Sequence, residues 1–344
     1  MSQSRVRAAV IGLGRHGLRH VQALRRIDEV ELVAVCDSRP EALALATQEH
    51  SAPQGHTDWK QLLETEQLDL ISVVTNGPSH AEITIAAARK RVRYLMCEKP
   101  MATSGKDARE MIRACEESGT RLALAHGRRW VRGYRELRQL IESGRIGKLS
   151  HFWFTCGGGL FAGNGTHFMD LARMLSGSDA VSVGGVIDAT GSPNPRGRQF
   201  QDPGAVALFL FRNGMRLVVD MFEDLGIPPR IEIVGSIGRV LIDEIEGRWQ
   251  VVARGDEDQL RPVGEYWLPL VPVPFSGEKE LDMLQMLTDG LSELISDGPI
   301  SCTGADGLAS LEMALGTHLS SSRGGVQVPL PLAPADQAFD LPLT

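Results

Sequence analysis

Five short apolar runs in the first third of the chain restrict its fold more than any other feature. They are VRAAVIG (6–12), ELVAVCD (31–37), LDLISVVT (68–75), VRYLMCE (92–98) and RLALA (121–125), and helical patterns separate them. Side chains of a strand point alternately to opposite faces, so a strand that is apolar at nearly every position is covered on both sides. Parallel neighbours need a crossover, which the intervening helices supply. Residues 1–125 are therefore expected to form an α/β domain with a doubly wound parallel sheet. After about residue 126 the pattern changes. One helical stretch, RGYRELRQLIESG, leads into LSHFWFTC, VSVGGVIDA, AVALFLF, MRLVVDMF, RIEIVG and GRVLIDE, with fewer helices between them. Consecutive strands of this kind predict an antiparallel sheet for a second domain, 126–344. GSPNPRGRQFQDPG (191–204) reads as a long loop, KELDMLQMLTDGLSELISDG and GADGLASLEMALGTHL as two closing helices, and the tail from Pro329 as extended chain.

The first run ends in VIGLGRHG, which sets Gly12, Gly14 and Gly17 in G-x-G-x-x-G spacing before a helical pattern. Such glycines allow a tight turn, a close approach of backbone to a pyrophosphate, and helix packed on strand, while the helix N-terminus faces the phosphate. The second run ends in Asp37, twenty residues after Gly17. An acid there accepts hydrogen bonds from the ribose hydroxyls of NAD and repels the 2′-phosphate of NADP. Arg39, two residues on, moderates that repulsion, so NAD is expected and NADP stays open. Arg15 and His16 between the glycines, Ser38 and Arg39 beside Asp37, and Thr75, Asn76 and His80 after the third run join this cofactor set. The competing reading of the glycines is a plain strand-to-helix turn, and of His80 a helix-start residue.

MCEKPMA places Glu98, Lys99 and Pro100 at the carboxyl end of the fourth run, the edge at which open α/β sheets bind ligands. Glu98 joins the cofactor candidates. Lys99, shielded from water and near a cofactor, suits proton transfer or polarisation of a hydroxyl; the rival reading is an exposed lysine capping a loop. The Lys99–Pro100 bond is a candidate for the cis form.

GLGRHG with the CD of residues 36–37, TNGPSHAE, CEKPMA, GRRWVRGYRELRQLIESGRIGKL, GTHFMDLARMLSG and DGLASLEMALGTHLSSSRGGVQVPL occur in unbroken order from about residue 5 to 331. Together they resemble the Gfo/Idh/MocA family, the oxidoreductases of glucose-fructose oxidoreductase and inositol dehydrogenase type. The resemblance implies an N-terminal Rossmann domain, a C-terminal α/β domain whose large open sheet mediates a homodimer or homotetramer, and NAD(P)-linked chemistry on a sugar, sugar acid or cyclic polyol. It matches Lys99 to the lysine of the E-K-P motif and His167 to the histidine of D-x-G-x-H-x-x-D, and so implies that both are catalytic.

GGGLFAGNGTHFMDL (157–171) can then be read as a glycine turn leading into a helix with Thr166 as N-cap and Asp170 in its first turn. His167 would sit at the positive end of that helix, which disfavours the imidazolium and leaves a ring able to accept a proton. The family's motif has aspartate four positions before the histidine; this chain has Gly163 there, followed by Asn164. Asn164 can supply a hydrogen bond and no charge. A different substrate, a mechanism resting on Lys99 and His167, or lost catalysis would each account for the missing acid. Substrate contacts are expected from Arg128, Asn164, Thr166 and Asp170.

The rest of the chain removes classes. The net charge of −7 gives no reason to expect nucleic acid, which needs clustered basic charge. Between Arg121 and Lys148 eight basic residues face two acids, but at helical spacing that reads as a solvated helix face more than an acceptor for an acidic sugar. No run is apolar enough to cross a membrane, and MSQSRVRAAVIG lacks the apolar stretch and cleavage site of a signal peptide, so none is expected. Five scattered cysteines fit reduced thiols in cytoplasm. His151, Cys156, His167 and Asp170 match no zinc spacing, so no metal is expected. Besides a dehydrogenase, two readings stay open: a glycosidase that oxidises transiently with bound NAD, and a sugar or NAD sensor that has kept the fold.

Overall fold

β1 (Val6–Ile11) runs parallel to two neighbours, β2 (Val30–Cys36) and β4 (Leu70–Val73), and its residues from Ala8 to Ile11 are fully covered. The computed structural model describes residues 5–53, 55–190, 194, 197–275, 281–341 and 343. The chain divides into two compact units, 1–130 with 282–311 and 338–344, and 131–281 with 312–337.

In the first unit α1 (Arg15–Leu24), α2 (Pro40–His50), β3 (Gly55–His56), α3 (Trp59–Thr65), α4 (Gly77–Arg89), β5 (Tyr94–Cys97), α5 (Gly105–Ser118) and β6 (Arg121–Leu124) complete the series. All six strands are parallel in the order β3-β2-β1-β4-β5-β6, the doubly wound sheet that the apolar runs imply. The chain reverses direction across the sheet between β1 and β4, so the ends of β1, β2, β4 and β5 gather at one edge.

The second unit holds α6 (Arg132–Glu142), β7 (Leu149–Thr155), α7 (Phe161–Ser176), β8 (Ala180–Ile187), β9 (Ala205–Phe211), β10 (Arg216–Asp220), β11 (Arg230–Gly235), β12 (Gly238–Asp243), β13 (Arg248–Arg254) and β14 (Leu270–Pro272). Its sheet of nine strands has the order β14-β13-β12-β11-β7-β10-β9-β8-β15, the last being Val328–Pro329. Every pair is antiparallel except β7 with β10. One face is covered: Phe168 of α7 stacks on Phe154 of β7 with ring centroids 3.5 Å apart. The other presents Trp153, Val186, Leu208 and Leu210, all exposed.

Two expectations need correction. The expected division puts everything from residue 126 to 344 in the second domain, yet 126–130, 282–311 and 338–344 group with the first unit. There α8 (Met283–Ile295) buries Met286, Leu287, Leu291 and Leu294, packs on α1, and brings Gly290 so close to Trp130 that a Cβ would lie 3.0 Å from the indole. Amphipathicity gives a helix an apolar face without saying which sheet layer it covers. The tail is not simply extended: after α9 (Gly304–Ser322) and β15 it makes a short 3-10 turn at Pro334–Asp336, and Asp340 bridges to Ser104 in the first unit. Part of the loop expected over 191–204 and the start of the helix expected from Lys279 lie outside the described residues.

Candidate active site

In the first unit the site is built from the glycine loop. Gly12 has φ +98°, and a Cβ there would lie 2.4 Å from the Val74 carbonyl oxygen; one on Gly17 would lie 1.9 Å from that of Gly12. Both positions exclude a side chain. A Cβ on Gly14 would meet nothing within 4 Å, so the crest of the loop opens outward. Gly14 is also the N-cap of α1 and offers no side-chain acceptor to the first N–H groups of the helix, the end that favours an anion. Arg15 is exposed and His16 half-buried there.

Asp37 follows β2. Its Oδ2 accepts the Leu13 N–H at 2.8 Å, and the Arg39 guanidinium donates to both carboxylate oxygens, Nε to Oδ1 at 3.0 Å and Nη2 to Oδ2 at 3.1 Å. Burial pushes the Asp37 carboxyl up, but these hydrogen bonds outweigh it and hold the group below the usual carboxylate range. Ser38 and Arg39 are exposed beside it. An open glycine crest, an uncapped helix and an ionised acid at the next strand end fit a dinucleotide.

Thr75, half-buried, and Asn76, exposed, follow β4 and lead into α4. His80 turns out to be a brace. It is 1% exposed, with Nδ1 2.9 Å from the Pro100 carbonyl oxygen and Nε2 2.9 Å from that of Thr75. Burial pushes its imidazole below the usual value. The ring joins the turn after β4 to the turn after β5, where the Lys99–Pro100 bond is cis. Glu98 is likewise buried: Oε1 lies 3.1 Å from His20 Nε2, and Oε2 accepts the Lys99 backbone N–H at 3.2 Å. Burial pushes the Glu98 carboxyl up; the hydrogen bond from His20 and the charges of His20, Lys99 and His16 overcome it and keep the group ionised. Glu98 therefore shapes the turn that carries Lys99. Sequence reasoning missed His20, whose signal was only its spacing three residues after Gly17. Arg128 lies half-buried in the 3-10 turn Gly127–Trp130 after β6; its neighbour Arg129 donates to the Ser301 carbonyl and to Asp306, both in the returning segment.

In the second unit α7 starts well before the expected place. Thr166 is not the N-cap: the helix begins at Phe161, and the Thr166 hydroxyl donates to the Ala162 carbonyl at 2.7 Å, one turn back. His167 is the seventh residue of the helix and stands away from its positive end. Asp170 is buried beyond it, 3.6 Å from Arg173, and Thr166 is buried as well. The sequence misleads because Gly163 and Gly165 each disfavour helix by about 1 kcal/mol relative to alanine. The compensation comes from Asp202, whose carboxylate accepts the N–H groups of Ala162 and Gly163, each at 2.7 Å. In the first three turns only Asn164 and His167 escape full burial; three residues apart, they share one face.

Comparison with known proteins decides the family. Residues 6–126 match the model described as oxidoreductase family, NAD-binding Rossmann fold, and residues 152–241 match the GFO/IDH/MocA C-terminal domain, together more than half of the chain. The chain belongs to the Gfo/Idh/MocA oxidoreductase family. It is similar to myo-inositol 2-dehydrogenase of Thermotoga maritima, 28% identical over 70% of this chain and 76% of that one. D-apiose dehydrogenase of Rhizobium rhizogenes is 25% identical over 94% of this chain and 97% of its own length. Among solved structures, the WlbA dehydrogenase of Bordetella pertussis, in complex with NADH and UDP-GlcNAcA, has the same fold: TM-score 0.76, 23% identity, 97% of this chain and 100% of that one.

As a Gfo/Idh/MocA protein the chain is an NAD-binding dehydrogenase. No helix among the described residues is long and apolar enough to cross a membrane. No cluster of metal-ligating side chains occurs among those residues either.

Proposed function

We propose that the protein is an NAD-dependent dehydrogenase acting on a secondary alcohol of a sugar, sugar acid or cyclic polyol. The observation that carries this reading is the polar pair Asn164 and His167, which share a face and are the residues of the first three turns of α7 that are not fully buried, in a family whose members named above are dehydrogenases of myo-inositol and D-apiose. Gly12, Gly14, Gly17 and the start of α1 hold the pyrophosphate, and Asp37 holds the ribose diol. When bound, NAD supplies the hydride acceptor. His167 takes the hydroxyl proton, and Lys99, on its turn braced by Glu98 and His80, stabilises the developing alkoxide. Asn164 and Arg128 orient the substrate through hydrogen bonds. NAD is preferred over NADP because Asp37 stays ionised, with Arg39 softening the preference.

The relatives being dehydrogenases favours net oxidation over the redox-assisted glycosidase and the sensor. The same reading gives a homodimer or homotetramer through the open face of the nine-stranded sheet. It also implies a cytoplasmic protein, in keeping with five cysteines that form no disulfide.

The test is appearance of NADH with NAD and a panel of inositols, hexoses, pentoses and sugar acids. Lys99→Ala and His167→Ala should each lower turnover by about 10²- to 10⁴-fold while retaining NADH binding. Turnover that survives both substitutions would remove these residues from the chemistry; glycoside cleavage without net NADH would favour the glycosidase.

A further inference from the structure

The start of α7 is held by a segment forty residues further along the chain. Leu160, in the left-handed region at φ 57° and ψ 52°, offers no side-chain cap. Its N–H donates to the Asp202 carbonyl at 3.2 Å, and that of Phe161 to the Pro203 carbonyl at 3.4 Å. The next two N–H groups, of Ala162 and Gly163, go to the Asp202 carboxylate. Asp202 is itself 5% exposed. Four successive amides that a helix leaves without internal partners are thus satisfied by residues 202 and 203. The carboxylate also lies at the positive end of the helix, where negative charge is favoured.

His167 is four residues beyond Gly163, on the same helical face. With glycine at 163 and 165, the chain from 161 to 165 has little helical preference of its own. Its phase and axial position are set by the clamp, and with them the place of the imidazole.

We propose that Asp202 is the positioning residue for His167, fixing through the amides of Ala162 and Gly163 the turn of helix on which the imidazole stands. Its consequence for turnover rests on the dehydrogenase reading; its consequence for the ring does not.

The test uses the full chain with Asp202→Ala and Asp202→Asn. The imidazole resonances of His167 are identified by their loss in His167→Gln. NADH affinity and turnover, with the polyol or sugar of the panel that reacts fastest, are measured beside them. Asp202→Ala should move the His167 ring resonances and lower kcat about 10- to 100-fold, the cost of a small misplacement of a reacting group, with NADH affinity unchanged. Asp202→Asn should restore part of both, because its one carbonyl oxygen can cap one of the two N–H groups while its NH2 cannot accept from the other. Should Asp202→Ala fail to fold, Asp202→Glu replaces it: the carboxylate is kept, its reach lengthened by one methylene, and the same ring displacement is expected. Ring resonances and kcat at wild-type values in the folded Ala or Glu variant would overturn the proposal. If wild type turns over no member of the panel, the dehydrogenase reading falls, and the ring resonances still decide the role of Asp202.

Discussion

The carboxylate of Asp37 accepts the backbone N–H of Leu13 at 2.8 Å, so the acid that ends β2 is fastened to the glycine loop that ends β1. Its other contacts come from Arg39, which donates to both oxygens. An incoming ribose diol meets an ionised acceptor, and a 2′-phosphate meets a like charge partly offset by a guanidinium. Asp37→Asn keeps an acceptor for Leu13 and removes the charge. The ratio of kcat/KM for NADP over NAD should then rise by about tenfold or more, since like-charge juxtaposition costs several kcal/mol when unrelieved. Arg39→Ala should lower the same ratio. Initial rates with both cofactors measure it, and an unchanged ratio in Asp37→Asn would place the carboxylate away from the ribose.

The His20–Glu98 pair makes a prediction about stability. Both side chains are buried, and removing one partner strands the other. His20→Ala should therefore cost about 3 kcal/mol in denaturant unfolding near neutral pH, because it leaves the Glu98 carboxylate buried without its hydrogen-bond donor. Because the folded-state Glu98 carboxyl lies well below its ordinary value, its stabilisation is fully present above the unfolded value of about 4.3 and is lost as pH falls through the folded one. The gap in stability between wild type and Glu98→Gln should persist at pH 5 and close only in strong acid. A gap that closes already near pH 5 would show that Glu98 is not held ionised.

What the sequence revealed and what it hid have separable causes. β1, β2, β4, β5 and β6 were legible because burial on both faces writes itself as an unbroken apolar run. Asp37 was legible because its distance from Gly17 is fixed by one helix and one strand. The start of α7 was hidden: the glycines at 163 and 165 read as turn, and the cap that overrides them lies at residue 202, a contact that no local pattern encodes. His80 and Glu98 were found at the right strand ends, but polar residues there can face a ligand or brace the turns, and only tertiary hydrogen bonds distinguish the two. β13 was passed over although RWQVVAR alternates exposed and buried at its start, because single short alternations are weak evidence.

The cysteines should differ sharply in reactivity. Burial, then the charges of Asp37 and Asp58, pushes the Cys36 thiol up to about 12; burial and Glu116 do the same for Cys115, and burial also raises Cys97. Cys302 is buried, and Cys156 is half-buried at the end of β7. Since thiolate is the reactive form, a disulfide reagent at neutral pH should modify Cys156 first in the folded protein and all five cysteines after denaturation. Cys156→Ser should remove the fast phase. A fast phase that persists would mean that the first unit opens readily enough to expose its thiols.

The open sheet face makes the last prediction. Register places Trp153 of β7 opposite Val218 of β10, Val218 opposite Leu208 of β9, and Leu208 opposite Gly184 of β8. Trp153 is 44% exposed and Leu208 39%, with Leu210 and Val186 on the same face. Towards the other edge the face becomes charged, with Glu232 opposite Trp153 and Leu241, and Arg230 opposite Asp243. An apolar centre with a charged flank is the composition of an interface between folded copies, where the patch is desolvated and the rim fixes register. Trp153→Glu combined with Leu208→Glu would put unpaired charge into that centre, an arrangement that costs several kcal/mol when buried. Sedimentation velocity should find wild type as a dimer or tetramer at micromolar concentration and the double variant as a folded monomer. A wild-type monomer would overturn the sheet interface, and so would a double variant that still assembles, because a face carrying two added carboxylates at its centre cannot pack against a copy of itself without burying them.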